Sequence, residues 1–325
     1  MKIYKKYDNG IYRVREIFGI KFTTKPLENK INHLYNYVNR IERKIDLLDI
    51  RNKARMQILA LGDKKIIEEK RKERLIVSLT TFPQRIYDID VVLFSLLNQT
   101  VKPDKIILWL GKEEFPNLED SVPPHILNMR KFGINIKFCY NLKQYNKLIH
   151  SLKEFPNDLI VTVDDDIYYQ YDCLEKLYNA YLENPNYIHC HRGRVILLDN
   201  NKNIIPLINW KNNFSGNNDN KPSFRNYFTG VGGVLYKSNF FNDEIYNEDL
   251  FMKLAPTEDD KWFFAMALLN GTKISIVKNN NKIIEIGYDN YDKLYDINKT
   301  GINQETFNRL LEYYGDKLIN KIIND

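Results

Sequence analysis

Short runs of apolar, β-branched residues alternate with helical patterns from Arg74 onward, and this alternation is the strongest constraint on the fold. The apolar runs predict four strands, at 75–79, 105–110, 134–138 and 159–163, and the segments between these strands predict helices. Strands that alternate with helices of this length build βαβ units around a parallel sheet. We therefore predict an α/β domain over residues 74–325, with a mainly parallel mixed sheet and flanking helices.

Residues 1–73 differ from the rest of the chain, and we predict a separate helical N-terminal segment there. Six apolar residues follow the 3-4-3-4-3 spacing of a helix that packs on another helix, and polar Asn52 and Arg55 then interrupt the pattern: Ile31, Leu34, Val38, Ile41, Ile45 and Leu48. The partner helix belongs either to a second subunit, which would give a homo-oligomer, or to the same chain. A basic amphipathic helix on an anionic membrane surface is the alternative.

The composition excludes several classes of protein. The chain has 325 residues, 43% of them hydrophobic, which is enough for a sizeable core and unlike a disordered protein. A net charge of +6 suits phosphate-bearing ligands, but no basic stripe interleaved with aromatic residues points to nucleic acid. The three cysteines lack metal or disulfide spacing, and no apolar stretch is long enough for a membrane span. We expect a cytoplasmic protein, on the inner face of the membrane if the N-terminal helix binds lipid.

Three consecutive aspartates, Asp164, Asp165 and Asp166, follow the fourth predicted strand. In open α/β sheets, ligands bind outside the carboxyl ends of the strands. Adjacent carboxylates repel one another unless a cation or raised pKa values relieve them. Oxygen ligands suit Mg²⁺ or Mn²⁺, which bind through one or two carboxylates plus substrate phosphates. The aspartates therefore predict a metal–diphosphate site, and a solvated acidic loop is the alternative.

A second acidic cluster, Glu258, Asp259 and Asp260, precedes a helical pattern that starts at Lys261. One of these carboxylates can act as a general base if it lies within hydrogen-bond reach of an acceptor hydroxyl. The alternative is that they cap the helix, because its free amides and dipole favour acidic residues.

Two basic residues are candidates for phosphate contacts. Arg85 follows the first predicted strand, and arginine forms bidentate bonds with phosphate. Lys147 lies on a predicted helix, where a solvated helix face is the interpretation that we favour over a phosphate contact.

Four segments, in this order along the chain, resemble nucleotide-sugar glycosyltransferases with the GT-A fold, particularly bacterial family-2-like members. They are 79–86 (Leu-Thr-Thr-Phe-Pro-Gln-Arg-Ile), the Asp-Asp-Asp run after its strand, the glycine-rich 228–236, and the acidic 255–263. Together they span roughly residues 74–271. The resemblance implies transfer of a sugar from a nucleotide-diphosphate donor, with a UDP-sugar as first choice, to a glycan or lipid-linked acceptor during bacterial surface polysaccharide synthesis.

The resemblance also assigns roles to individual residues. It implies Asp166 as the direct ligand of Mn²⁺ or Mg²⁺, with Asp164 on the ribose or beside the metal through a bound water. Donor contacts are implied for seven further residues: Thr80, Thr81, Arg85, Lys147, Asp165, Gly232 and Gly233.

An inverting transfer needs a base, for which Asp259 is the first choice, Asp260 the second and Glu258 the third. The alternative functions are a retaining glycosyltransferase, a metal-dependent phosphohydrolase or nuclease, and a non-catalytic binding protein that uses its helical N-terminus for assembly.

Overall fold

The structure is a computed structural model that describes residues 4–18, 20–62, 67, 70–213, 221–278, 280, 283–287 and 302–325. Its contacts divide the chain into two compact units, residues 1–60 and 61–325, whereas the sequence placed the division after residue 73.

The described part of the first unit is a small antiparallel sheet followed by one long helix. Strands β1 (Tyr4–Asn9), β2 (Tyr12–Ile17) and β3 (Ile20–Thr24) form a meander, and α1 (Leu27–Ala60) follows it. The helix confirms the predicted helical segment. The three strands were not predicted, because they are mostly exposed and lack apolar runs. Within the described residues, no helix is both long enough and apolar enough to cross a bilayer.

The described part of the second unit is organised around a mixed seven-stranded sheet. Its strands are β4 (Leu75–Thr80), β5 (Lys105–Gly111), β6 (Ile134–Cys139), β7 (Leu159–Thr162), β8 (Ile188–Cys190), β12 (Val234–Tyr236) and β13 (Ile274–Ile276). Their order across the sheet is β13-β8-β12-β7-β4-β5-β6, and β12 runs antiparallel to both neighbours while the other pairs are parallel. This architecture confirms the predicted α/β fold and all four predicted strands.

A smaller antiparallel sheet and the helices complete this unit. The small sheet has the order β10-β9-β11, with β9 (Gly193–Val195), β10 (Lys211–Asn213) and β11 (Asn226–Phe228). The described helices are α2 (Ile89–Leu97), α3 (Pro124–Leu127), α4 (Asn146–Glu154), α5 (Cys173–Glu183), α6 (Glu248–Leu254), α7 (Asp259–Asn270), α8 (Ile302–Tyr314) and α9 (Asp316–Ile323).

The strand directions bring several loops to one edge of the large sheet. β4 and β7 are parallel neighbours, with Ser78 opposite Thr162, so their carboxyl ends lie side by side. β12 is antiparallel to β7, with Val234 opposite Thr162, so its amino end reaches the same edge. Residues that follow β4, follow β7 or precede β12 therefore meet, although they are far apart in sequence.

Candidate active site

The aspartates after β7 are bound by the loop that follows β4. Thr81 Oγ1 donates a hydrogen bond to Asp165 Oδ2 at 2.6 Å, and Arg85 Nη1 donates to Asp165 Oδ1 at 2.6 Å. The same Arg85 nitrogen lies 3.1 Å from Asp166 Oδ2. Burial raises the pKa of Asp165, and Arg85 opposes that rise. Asp165 is thus held inside the protein, with its side chain 9% exposed, against 28% for Asp164 and 18% for Asp166.

Lys147 joins the two acidic clusters. Its Nζ donates to Asp164 Oδ1 at 2.9 Å and lies 3.2 Å from Asp259 Oδ2. Burial alone would lower the pKa of Lys147, but the nearby carboxylates of Asp164, Asp259 and Asp260 raise it well above its ordinary value. Lys147 is only 7% exposed, so the solvated helix face that we favoured from the sequence is wrong. The ammonium remains charged because carboxylates surround it.

A buried polar network anchors the helix that carries Lys147. Ser78 of β4 donates to the backbone carbonyl of Lys147 and shares a hydrogen bond of 2.7 Å with Ser151 of α4. Trp109 Nε1 of β5 donates to Ser151 Oγ at 2.8 Å. Buried polar groups that are fully paired hold their elements in one arrangement. The network therefore fixes the amino end of α4, and Lys147 with it, over the sheet edge.

The second acidic cluster lies at the start of α7, where Asp259 and Asp260 are the first two residues. Asp260 Oδ2 accepts a hydrogen bond of 2.7 Å from the Gly230 amide, and a Cβ on Gly230 would lie 2.8 Å from Asp260 Oδ1. Position 230 therefore admits no side chain without moving the carboxylate. Burial, and then the neighbouring Asp259, raise the pKa of Asp260 to about 7. Burial also raises the pKa of Asp259, against the effect of Lys147.

Glu258 is engaged differently from its two neighbours. It occupies the N-cap position of α7 but its side chain makes no capping hydrogen bond. Instead its carboxylate pairs with the buried Lys261, which also donates to Asn303 of α8. This pairing ties the acidic turn to a later helix, and burial lowers the pKa of Lys261 to about 7. Its role as a third-choice base stays a prediction.

Three other predicted donor residues lie against protein atoms. Thr80 Oγ1 donates to the Trp109 carbonyl at 2.9 Å. A Cβ on Gly232 would lie 2.9 Å from the Cβ of Arg192, and Gly233 has a φ of +90°, which glycine adopts without strain. Each residue thus has a structural reason to be present. Donor contacts from Thr80, Gly232 and Gly233 stay predictions.

Tyr169 is a buried site residue that the sequence analysis missed. Its hydroxyl accepts a hydrogen bond of 2.7 Å from the Asp164 amide and donates to the Val231 carbonyl at 3.3 Å. It thereby joins the acidic loop to the glycine-rich segment. The sequence carries no signal for this role, because the contact with Val231 forms only in the folded chain.

The segment 283–287 also approaches the acidic cluster. The Ile286 amide donates to the Asp166 carbonyl at 2.7 Å, and a Cβ on Gly287 would lie 3.2 Å from that of Asp166. The sequence leaves open whether three tyrosines beyond this segment stack on an acceptor sugar or lie in the core, and they fall outside the described residues: Tyr288, Tyr291 and Tyr295.

The chemistry of the cluster fits a divalent cation. Among the described residues, no three carboxylate, histidine or cysteine side chains form a ready-made metal cage. Mg²⁺ and Mn²⁺ need no such cage, since one or two carboxylates and the oxygens of a bound diphosphate suffice. Negative charge is in excess, because Arg85 and Lys147 share the cluster with five aspartates, Asp164, Asp165, Asp166, Asp259 and Asp260. Asp164 and Asp166 are the more exposed carboxylates after β7, and their role as metal ligands stays a prediction.

The raised pKa of Asp260 predicts a specific pH dependence of stability. The pKa of Asp260 is about 7 in the folded chain, against an ordinary 3.8. The protonated carboxyl therefore contributes its full stabilisation below about pH 4, and this contribution is lost as the pH rises through 7. Asp260→Asn should therefore stabilise the protein at pH 8 by on the order of 2 kcal/mol, and by much less at pH 5. Thermal unfolding in a chelator, with exposed Asp249→Asn as control, measures this effect. An equal shift at both pH values would contradict it.

No protein-family model matches the chain, and no curated protein matches it. Among solved structures, it is similar to S. aureus TarS 1–349 in complex with UDP, at 14% identity and a TM-score of 0.41, over 65% of this chain and 59% of that chain. A second crystal structure of S. aureus TarS 1–349 is similar at 15% identity and a TM-score of 0.42, over 74% of this chain and 72% of that chain. The chain is also similar to mannosyltransferase PcManGT from Pyrobaculum calidifontis in complex with GDP-Man and Mn²⁺. The identity is 10% and the TM-score 0.47, over 87% of this chain and 80% of that chain. The chain thus spans under two thirds of the first of these.

Proposed function

We propose that this chain is a metal-dependent, inverting glycosyltransferase that moves a sugar from a nucleotide-diphosphate donor to an acceptor hydroxyl. A UDP-sugar is the first choice of donor, and a glycan or lipid-linked glycan of a bacterial surface polysaccharide is the acceptor. The observation that carries the proposal is the position of Lys147, whose ammonium lies within 3.2 Å of both Asp164 and Asp259. Groups suited to a diphosphate and a group suited to be a base therefore share one buried site.

On the donor side, Asp164 and Asp166 would hold Mn²⁺ or Mg²⁺, with the remaining ligands supplied by the diphosphate. The ion, when bound, supplies Lewis-acid stabilisation of the charge on the leaving diphosphate. Arg85 already contacts Asp165 and Asp166, so its guanidinium lies next to the place where phosphate oxygens would enter. Arginine binds phosphate through a planar pair of donors, which suits this position.

On the acceptor side, Asp259 takes the proton of the attacking hydroxyl. The acceptor oxygen forms a bond to the anomeric carbon while the bond from that carbon to the phosphate oxygen breaks, and the electron pair leaves with the diphosphate. Burial raises the pKa of Asp259, which brings its base strength closer to the working pH. We favour Asp259 over Asp260 because Asp259 shares Lys147 with the donor-side Asp164, whereas Asp260 is hydrogen-bonded to Gly230.

Ligand binding is the first test of the proposal. Thermal unfolding should be measured with a panel of nucleoside diphosphates and nucleotide sugars, each with and without Mn²⁺. A ligand at a hundred times its Kd stabilises the folded chain by about 2.7 kcal/mol. We expect such a shift for one nucleotide diphosphate, and only with the metal. The matching monophosphate is the control, because it lacks the β-phosphate that completes the site.

The other outcomes distinguish the alternatives. No shift with any diphosphate at saturating metal would contradict the proposal. Metal-dependent hydrolysis of phosphoesters or DNA, without sugar transfer, would instead indicate a phosphohydrolase or nuclease. A product whose anomeric configuration matches the donor would indicate a retaining transferase.

A further inference from the structure

The long helix α1 carries an exposed apolar stripe. Its seven residues are between 40% and 71% exposed: Leu27, Ile31, Leu34, Val38, Ile41, Ile45 and Leu48. Single exposed apolar side chains are common, but contiguous apolar surface marks a site of interaction. The 4-3-4-3-4-3 spacing keeps the apolar stripe on one face of the helix, as in the seam of a coiled coil.

The residue types within the apolar stripe select the number of strands. In heptad notation the a positions are β-branched, at Ile31, Val38 and Ile45, and three of the four d positions are leucine. β-Branched residues at a with leucine at d favour two parallel helices. The next a position is the exposed Asn52, and a single polar a residue fixes register at some cost in stability.

The charges beside the apolar stripe select the partner and its direction. The charged residues at the e positions are all acidic and those at the g positions are all basic, with one tyrosine in each set: Glu28, Tyr35, Glu42 and Asp49 at e, and Lys30, Tyr37, Lys44 and Arg51 at g. In a parallel pair each g residue faces the e residue of the following heptad on the partner, which places Lys44 next to Asp49 of a second copy. An antiparallel pair would instead set acid against acid and lysine against lysine. The flanks of the helix are thus complementary to themselves in the parallel arrangement.

We propose that α1 pairs with α1 of a second copy as a parallel, two-stranded coiled coil along the apolar stripe. The contact extends about 38 Å from Leu27 to Asn52. A helix bound flat on anionic lipid would favour cations on both flanks, and Glu42 and Asp49 on one flank oppose that arrangement.

Disulfide capture tests whether the apolar stripe pairs with that of a second copy, and the charge-reversal variants described below test the direction. Val38→Cys introduces a thiol at an a position, where a parallel dimer in register brings the two copies together. Asn36→Cys, two residues away on the outer face, is the matched control. The native cysteines Cys139, Cys173 and Cys190 are buried, so they do not compete. We expect a covalent dimer of the full chain with Val38→Cys on mild oxidation, and none with Asn36→Cys.

Measurements of mass and of affinity complete the test. Light scattering on the full chain should give twice 38.7 kDa. The double variant Ile41→Asp with Ile45→Asp should weaken the dimer by on the order of 100-fold, because it places charges in the apolar seam. Lys44→Glu and Asp49→Lys should each weaken the homodimer, because each places like charges opposite one another at positions 44 and 49. When the two variants are mixed they should form a heterodimer, because both contacts between positions 44 and 49 then join opposite charges. A monomer at all concentrations, a dimer that Val38→Cys fails to capture, or binding to anionic vesicles by a monomer would each overturn the proposal.

Discussion

Asp259→Asn is expected to lower the kcat of sugar transfer by about 10³-fold, because a general base contributes roughly 10²–10⁴-fold to the rate. Asparagine keeps the size of the side chain but cannot accept the hydroxyl proton. In the proposed site most donor contacts come from residues after β4 and β7, and Lys147 keeps its hydrogen bond to Asp164, so the donor Kd should change by only a few-fold. Steady-state kinetics with a saturating donor, combined with donor binding by calorimetry, measures both quantities.

The neighbouring acid provides the matched control for this experiment. Asp260→Asn alters a buried carboxylate one residue away, whose hydrogen bond from Gly230 gives it a structural role. We expect a loss of about tenfold or less from it. If Asp260→Asn costs more activity than Asp259→Asn, the base is Asp260. If neither change lowers kcat, the acceptor-side assignment is wrong.

Asp166→Ala is expected to abolish metal-dependent donor binding and to reduce turnover by about two to three orders of magnitude, because Lewis-acid stabilisation of the leaving group is worth several kcal/mol. The remaining Asp164 is already bound by Lys147, and the resemblance places it beside the metal through a bound water, so the ion would lose its direct carboxylate ligand. Loss of the Mn²⁺-dependent thermal shift, alongside loss of transfer, is the expected result.

Folding must be separated from metal binding in this variant. Asp166 lies close to Arg85, so its removal also leaves that cation less compensated. Thermal unfolding without ligand reports this effect directly, and Asp120→Ala, at an exposed acidic position, gives the baseline for an acid outside the site. Sugar transfer that survives in Asp166→Ala with unchanged dependence on Mn²⁺ would refute the metal assignment.

Much of the fold was predictable because the predicted strands are short and apolar, and three of the four are almost fully buried. β4, β5 and β7 are surrounded by protein on both faces, so their residue types follow from burial alone. The three N-terminal strands were missed because their exposed side chains impose no such pattern.

The candidate site was predictable only in part. A run of aspartates after a buried strand is visible in sequence, because ligands bind at carboxyl ends of parallel strands. The burial of Lys147 was not visible, since an amphipathic helix shows which residues are polar but not which of them meet buried acids. Tyr169 was likewise hidden among ordinary aromatic residues, and the glycine-rich segment was visible without the contact between Gly230 and Asp260.

Local sequence alone specified the buried strands, the helices between them and the position of each acidic cluster, because these depend on residue type and short-range spacing. Packing of the sheet decided that Asp164, Asp259 and Gly230 share one site, through a parallel β4–β7 pair and an antiparallel β12. This arrangement depends on contacts between distant parts of the chain, because Lys147 contacts carboxylates that are 95 residues apart in sequence. The free energy that brings them together comes from packing of the buried core and not from any one segment.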